Sequence, residues 1–446
     1  MASTYLSRAG GTPTSTRKFT ISFWVKKSNI GGDEFLVSTF SDSNNRMNVD
    51  FNSSNFITFI CKVSGSIVIR KRPNRLLRDP SAWYHIVIAV DTTQSTAADR
   101  CKFYINGEQE TSFSIDTNPS QNADLNVSGD HFIGAYDNDG SPANFFGGLL
   151  AHVHYTDGYT YAASTFGETD STSGIWKPKT APSVTYGTNG YFLKFENSGA
   201  MGTDSSGQTN TFTTAGSITQ NVDSPTNNFA TLNPLQTNLT LVNGNTTATT
   251  TNYKYALSTM AVNTGKWYFE MKVTHACMVI GIQDMIKAND GIRNSAIFWS
   301  NGSQSYHLDG FSRFSHDSYG DISTSSTDYP TYTNGDIVMM ALDLTNNKLA
   351  YGKNGTWYNS TNPGSGTTNM VSIDAPSTLT SGFYGIVCAD TCGASDGTFN
   401  VNFGQGYFGT TAVASANADA NGHGKMEYAV PSGYYTLNTK NLKEFG

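Results

Sequence analysis

Three short stretches carry side chains whose types and spacing could do chemistry. In "YDNDGS", residues 136–141, Asp137, Asn138 and Asp139 crowd oxygen ligands into one loop. Such a cluster could hold Ca²⁺, which takes roughly six to eight oxygens, while an Asp-Gly beside an Asn is equally a plain hairpin turn. In "VIRKRPNRLLR", Arg70, Lys71, Arg72, Arg75 and Arg78 gather positive charge in an acidic chain. They could clamp an anionic glycan or the acidic surface of a neighbouring protein; the alternative is a solvated strand edge whose charge blocks sheet-to-sheet aggregation. In "FWSNGSQSYHLDGFSRFSHDSYG" the rings of Trp299, Tyr306, His307, Phe311, Phe314 and Tyr319 lie among Asn, Asp and Ser. Sugar rings stack on such faces while polar neighbours take the hydroxyls, although large aromatics also pack the loops that carry them. His152 and His154, flanking Val153 in a strand, alternate to one face and are expected to line a surface, since two ligands alone make no zinc site.

The chain holds no His-Glu-x-x-His and no phosphate-binding loop. Its five cysteines (Cys61, Cys101, Cys277, Cys388, Cys392) follow no Cys-x-x-Cys or Cys/His metal spacing and are expected to be buried thiols, so no metal or other cofactor is expected beyond the calcium alternative. Lys and Arg number 28 against 35 Asp and Glu, a net charge of −7 that argues against general nucleic-acid affinity. The start, "MASTYLSRAGGTPTSTRKF", lacks the apolar core of a signal peptide, and no later run is long and apolar enough to insert in a membrane; synthesis in a cytoplasm is expected.

The elements that must position these residues are strands. In "FTISFWVKK", Phe19, Ile21, Phe23 and Val25 fall on one face and Thr20, Ser22, Trp24 and Lys26 on the other; Trp267, Phe269, Met271 and Val273 repeat the pattern in "KWYFEMKVT". "WYHIVIAV" and "DIVMMAL" are continuously apolar and short, as suits a strand covered on both faces. Each leads, through an aspartate and a polar turn, to a Lys-containing strand and then Asn-Gly, at Asn106-Gly107 and Asn354-Gly355, so each is expected to close as a hairpin. With only 14% charged residues and no amphipathic helix of ordinary length, the chain reads as all-β. At 446 residues it can hold two or three cores. The expected plan is a sandwich over 1–185, an extended connector over 186–238 anchored by Phe212, Phe229, Leu232 and Leu235, a second sandwich over 239–412 and a tail over 413–446.

From "TYLSR" onward the first half resembles the laminin-G-like, concanavalin A-like domains of tailed-phage structural proteins, marine phages especially. The resemblance rests on "FTISFWVKKS", "RDPSAWYHIVIAVDTTQ", "RCKFYINGEQETSF", "FGGLLAHVHYTDG", "FGETDSTSGIWKPK" and "GTNGYFLKFENSGAMGTDSSGQTNTFT". The second half resembles a SPRY domain in "GKWYFEMKV", "VIGIQD", "GDIVMMALDLTNNKLAYGKNGTWY" and "FNVNFGQ". Together they imply two tandem antiparallel β-sandwiches, a concanavalin A-like jelly roll followed by a SPRY-like fold, in a protein of the virion. The function implied is non-enzymatic: a receptor-binding tail fibre or appendage that presents loops to a host surface glycan or protein, with a capsid or tail decoration protein as the alternative. Expected partners are other virion proteins and the host surface, with a homo-oligomer, trimeric by resemblance. Laminin-G-like and pentraxin-like relatives sometimes hold calcium at the sheet rim. The same superfamily includes glucanases with Glu-x-Asp-x-x-Glu on one strand, so a polysaccharide depolymerase is the enzymatic alternative. Only Glu168-Thr169-Asp170 begins that pattern, and Ser171-Thr172-Ser173-Gly174 lacks the second Glu.

Overall fold

A computed structural model describes residues 3–125, 128–235, 239–250, 254–285, 305–311, 314–316, 329, 331–390 and 397–446. The protein is all-β, and its chain divides into two compact units, Met1–Gln220 and Asn221–Gly446. Among the described residues no helix is long and apolar enough to cross a membrane.

The first unit is a sandwich of antiparallel sheets. The smaller sheet runs Tyr191–Leu193, Gly148–Asp157, Lys18–Lys27, Trp83–Asp91, Cys101–Ile105, Glu108–Gln109; the larger runs Phe113–Thr117, Ser66–Pro73, Ile57–Val63, Asn45–Phe51, Glu34–Asp42, Asp130–Ile133, Tyr5–Arg8, Thr213–Ala215. The alternation read from "FTISFWVKK" is what the structure uses: Phe19, Ile21, Phe23 and Val25 enter the core between the sheets with Ile86, Ile88, Phe103, Val49 and Phe59. In the second unit one sheet runs Thr240–Val242, Thr247–Thr250, Gly397–Asn402, Lys266–Val273, Ile337–Asp343, Lys348–Lys353, Thr356–Trp357, and the other Tyr255–Val262, Tyr384–Asp390, Met278–Asp284, Ser305–Asp309, Phe314–His316. Trp267, Phe269, Met271, Ile280, Ile282 and Val401 fill its core.

The recurring hairpin is the same device in both units. Trp83–Asp91 and Ile337–Asp343 are interior strands, each paired on both edges. Asn106 and Asn354 adopt φ of 50° and 49°, followed by glycines at 86° and 84°, the left-handed pair that a tight hairpin with right-handed twist requires. Each asparagine also reaches back, Asn106 Oδ1 accepting from the His85 N–H and Asn354 Oδ1 from the Ile337 N–H, both at 2.8 Å. At the far end of each strand a lysine meets the aspartate across the sheet, Lys18 with Asp91 at 3.3 Å and Lys266 with Asp343 at 2.9 Å.

Residues 186–238, expected as a connector, are shared between the units. Tyr191–Leu193 pairs with Val153–Tyr155 and Thr213–Ala215 with Tyr5–Ser7, so the part up to Gln220 supplies strands to the first unit, with Phe212 in its core. Phe229 and Leu232 are buried in the second unit, where the Ala230 N–H donates to the Leu437 carbonyl at 3.0 Å, whereas Leu235 is exposed. Residues 413–446 likewise build the second unit: Met426, Tyr434 and Leu437 join its core, and Asn438 caps the closing helix Thr439–Phe445 by accepting from the Asn441 N–H. Cys61, Cys101 and Cys388 are buried thiols as expected; Cys277 is disulfide-bonded, which corrects the reading of every cysteine as a thiol.

Candidate functional site

The Asp137–Asn138–Asp139 loop is a tight turn joining the short strands Tyr136–Asp137 and Pro142–Ala143. Asp139 and Gly140 sit at φ of 55° and 87°, Asn138 and Ser141 exchange backbone hydrogen bonds, and Asp137 Oδ1 accepts from the Gly140 N–H at 2.7 Å. One oxygen is therefore occupied in holding the turn. Among the described residues no group of three or more His, Cys, Asp or Glu could hold a metal ion.

The basic run is not one surface. Ser66–Pro73 lies between Ile57–Val63 and the outer strand Phe113–Thr117, so it is not the sheet edge expected of it. Alternation turns Lys71 inward beside Phe59, where only 2% of its side chain is exposed, its ammonium 4.8 Å from the Phe113 ring centroid and paired with Asp116. Arg72 donates to Thr58 Oγ1 at 3.1 Å, and burial lifts the neighbouring Asp50 carboxyl to about 6 against the pull of Asn48, Arg72 and Arg70. Arg75 faces Glu108 and Glu110 at 3.4 and 3.0 Å, and Arg78 is exposed. Acidic side chains thus meet Lys71 and Arg75, and Lys71 is turned away from solvent.

Of the aromatic stretch in the second unit, Trp299 and Tyr319 lie outside the described residues. Tyr306 and His307 are not loop residues but belong to the strand Ser305–Asp309 and are buried. Tyr306 points into the core beside Phe314 and Tyr384, its hydroxyl accepting from the Asp374 N–H at 3.0 Å. Phe314 is also core, stacked on Tyr329. Phe311 faces solvent, 48% exposed, at the turn where Asp309 accepts from its N–H.

Sequence reasoning missed a cluster on the outer face of the first unit's smaller sheet. Trp24 stacks on His85 with centroids 4.6 Å apart, and Phe192 stacks on His154 at 3.8 Å. Trp176 Nε1 donates to His85 Nδ1 at 3.0 Å, so the His85 proton sits on Nε2, which donates to Ser22 Oγ at 2.9 Å. His154 Nδ1 lies 3.0 Å from the Tyr186 hydroxyl. Burial pulls His85 down to about 3 and His154 well below the ordinary imidazole value, so both rings stay neutral. The turn Ala163–Phe166 and the hairpin of Gly167–Thr169 with Trp176–Pro178 roof this face through Phe166 and Trp176. His154 is thus interior rather than surface-lining, and His152, at φ 48° beside a register shift, is half-buried. The signal available was the outward parity of Trp24 and His85.

Carboxylates with catalytic potential serve as braces. Asp170 Oδ1 accepts from the Thr172 and Ser173 N–H groups and Oδ2 from Lys177 Nζ at 2.8 Å, which holds its carboxyl far below the usual range; Glu168 is exposed, 3.7 Å from Lys177. Asp157 accepts from the N–H groups of Thr14, Ser15 and Asn189, and Asp204 from those of Phe192, Ser206 and Asn210. In the second unit Glu270 is buried with four donors: Tyr268 Oη and the Tyr428 N–H on Oε1, Asn402 Nδ2 and the Glu427 N–H on Oε2. Asp419 takes five more from Asn421, His423, Thr436 and Asn441. A carboxylate so engaged stiffens the loops that meet it.

With this geometry in view, residues 2–164 match a protein-family model described as the concanavalin A-like lectin/glucanases superfamily. No curated protein is similar enough to match. Similar solved structures include the SPRY domain of human HERC1, at 12% identity and TM-score 0.29, covering 38% of this chain and 96% of that one. A heptameric SAP-like pentraxin from Limulus polyphemus is 16% identical with TM-score 0.27, covering 34% of this chain and 69% of its own. Domain 4 of the arabinanase AbnA from Geobacillus stearothermophilus, solved with arabinotriose, is 18% identical with TM-score 0.25, covering 35% and 67%.

Proposed function

We propose that the protein is a non-enzymatic structural component of a tailed-phage virion, a receptor-binding fibre or appendage subunit that presents loops to host surface glycan or protein. The observation that carries the non-enzymatic part is the bracing of the carboxylates: Asp157, Asp170, Asp204, Glu270 and Asp419 accept from N–H groups of their own chain. Loops fixed this way lose little conformational entropy on binding. The match over residues 2–164 to the concanavalin A-like lectin/glucanases superfamily supports a glycan among the ligands, and the resemblance in "FTISFWVKKS" and "FGGLLAHVHYTDG" supports the viral setting. Weak affinity at one site is offset when many copies on one particle engage together. The test is incubation of purified protein with a glycan array and with bacterial cells, with and without chelator, alongside immunolabelled virions. Saturable, chelator-insensitive binding and labelled tail appendages are expected. Protein that neither binds cells nor co-purifies with particles contradicts the proposal.

A further inference from the structure

The inward face of Lys18–Lys27 continues from Phe19, Ile21, Phe23 and Val25 to Lys27, which is buried to within 1% of its surface. Its Nζ lies 4.0 Å from the Phe51 ring centroid and donates to Asn55 Oδ1 at 2.9 Å. Asn55 is also buried and is pinned at φ 65°, its N–H donating to the Asn52 carbonyl and its carbonyl accepting from the Leu77 N–H. The same Oδ1 accepts from the Gly31 N–H at 3.0 Å. Because the Cγ–Oδ1 bond is about 1.23 Å, Cγ lies no further than about 4.1 Å from Nζ. Glu34, at the start of Glu34–Asp42 and equally buried, interacts electrostatically with Lys27. Its Oε1 accepts from Asn29 Nδ2 and the Gly147 N–H, while its buried Oε2 has no hydrogen-bond partner. As a purely structural contact this arrangement is expensive, since it buries an ammonium against a neutral amide and leaves a carboxyl oxygen unsatisfied.

We propose that Lys27 and Asn55 form an intramolecular isopeptide bond, with Glu34 as the proton carrier. Lys27 Nζ attacks Asn55 Cγ while the Gly31 N–H steadies the developing charge on Oδ1. Protonated Glu34 gives its proton to Nδ2 and takes one back from Nζ; the Cγ–Nδ2 bond breaks and ammonia leaves. One amide replaces another, no oxidant is needed, and Glu34 ends as it began. Burial favours each reactant: it draws the Lys27 ammonium down to about 8, making the nucleophilic amine accessible, and raises the Glu34 carboxyl, making its protonated form accessible. The bond ties the end of a strand in the smaller sheet to the turn that follows Asn45–Phe51 in the larger, a covalent link between the layers of the first unit. It does not depend on which ligand or particle the protein serves.

Intact-mass measurement of the purified full-length chain tests this directly. The expected product is lighter than the sequence mass by about 17 Da, the mass of ammonia, and its digest contains a branched peptide joining Lys27 to Asn55. Lys27→Arg and Glu34→Gln chains that retain wild-type circular dichroism are expected at full sequence mass. The wild-type arm decides even where a variant misfolds: full mass with Lys27 recovered in a linear peptide, after prolonged incubation of folded protein, overturns the proposal. A cross-link forming at the wild-type rate in Glu34→Gln overturns the role given to Glu34.

Discussion

Among the described residues Glu270 is the carboxyl whose environment most resembles that of a general acid, because burial lifts it from 4.5 to about 7 despite four hydrogen bonds. The geometry makes it a clamp on residues 425–428 instead, and substitution separates the two roles. In Glu270→Gln the amide is expected to turn its oxygen toward the Glu427 N–H and its NH₂ toward Tyr268, whose hydroxyl can rotate to accept; the Tyr428 N–H is left unpaired, at a cost of about 1–3 kcal/mol. In Glu270→Ala both backbone N–H groups lose their acceptor, which raises the cost to roughly 2–6 kcal/mol. The pH dependence has a definite sign. A carboxyl held at about 7 in the folded state and 4.5 in the unfolded state makes the native form bind more protons between those values. Its contribution is complete below pH 4.5 and fades as pH rises through 7, by roughly 3 kcal/mol in all, and Glu270→Gln abolishes that slope. Urea titrations at pH 5 and 8, with peptides from 266–273 and 425–437 followed by hydrogen exchange at one labelling pH, read both effects. Unchanged protection in Glu270→Ala, or loss of a glycan-cleaving activity at unchanged stability, refutes the clamp.

Acid acts in the opposite direction on the first unit. Burial holds His85 and His131 near 3, so the unfolded chain protonates them first; their contribution is complete above about 6.5, and roughly 4 kcal/mol is lost between pH 7 and 5. A urea midpoint for peptides of Met1–Gln220 that stays flat over that range contradicts this. Trp176→Phe strands the buried Nδ1 of His85 and is expected to lower the same midpoint by about 1–3 kcal/mol. Asp170→Ala removes the acceptor of the Thr172 and Ser173 N–H groups and is expected to speed exchange across 168–178 without altering glycan binding; an effect on binding alone would show that this carboxylate touches ligand.

Much of the architecture was legible because it rests on local rules. The apolar runs before Asp91 and Asp343 and the Asn-Gly pairs after them specify interior strands and tight hairpins through parity and left-handed backbone, and both recur in space. Tyr191–Leu193 and Thr213–Ala215 were hidden in the expected connector because three-residue strands are too short to show alternation. Side-chain direction failed where parity was not followed through: Lys71 and Tyr306 face cores, and His154, although on the same face as His152, is buried rather than surface-lining. Lys27 was detectable, since the parity that buries Val25 carries on to it. The partners that neutralise Arg75, from Glu108 and Glu110, come from distant sequence and leave no local mark.

The proposed role, gripping a surface glycan without cutting it, is best tried in one incubation with bacterial surface polysaccharide in which bound protein and released reducing ends are measured together. Saturable binding is expected, with no reducing ends above the protein-free control. Reducing ends that accumulate with time, and vanish when a single carboxylate is neutralised in a protein of unchanged fold, would contradict it.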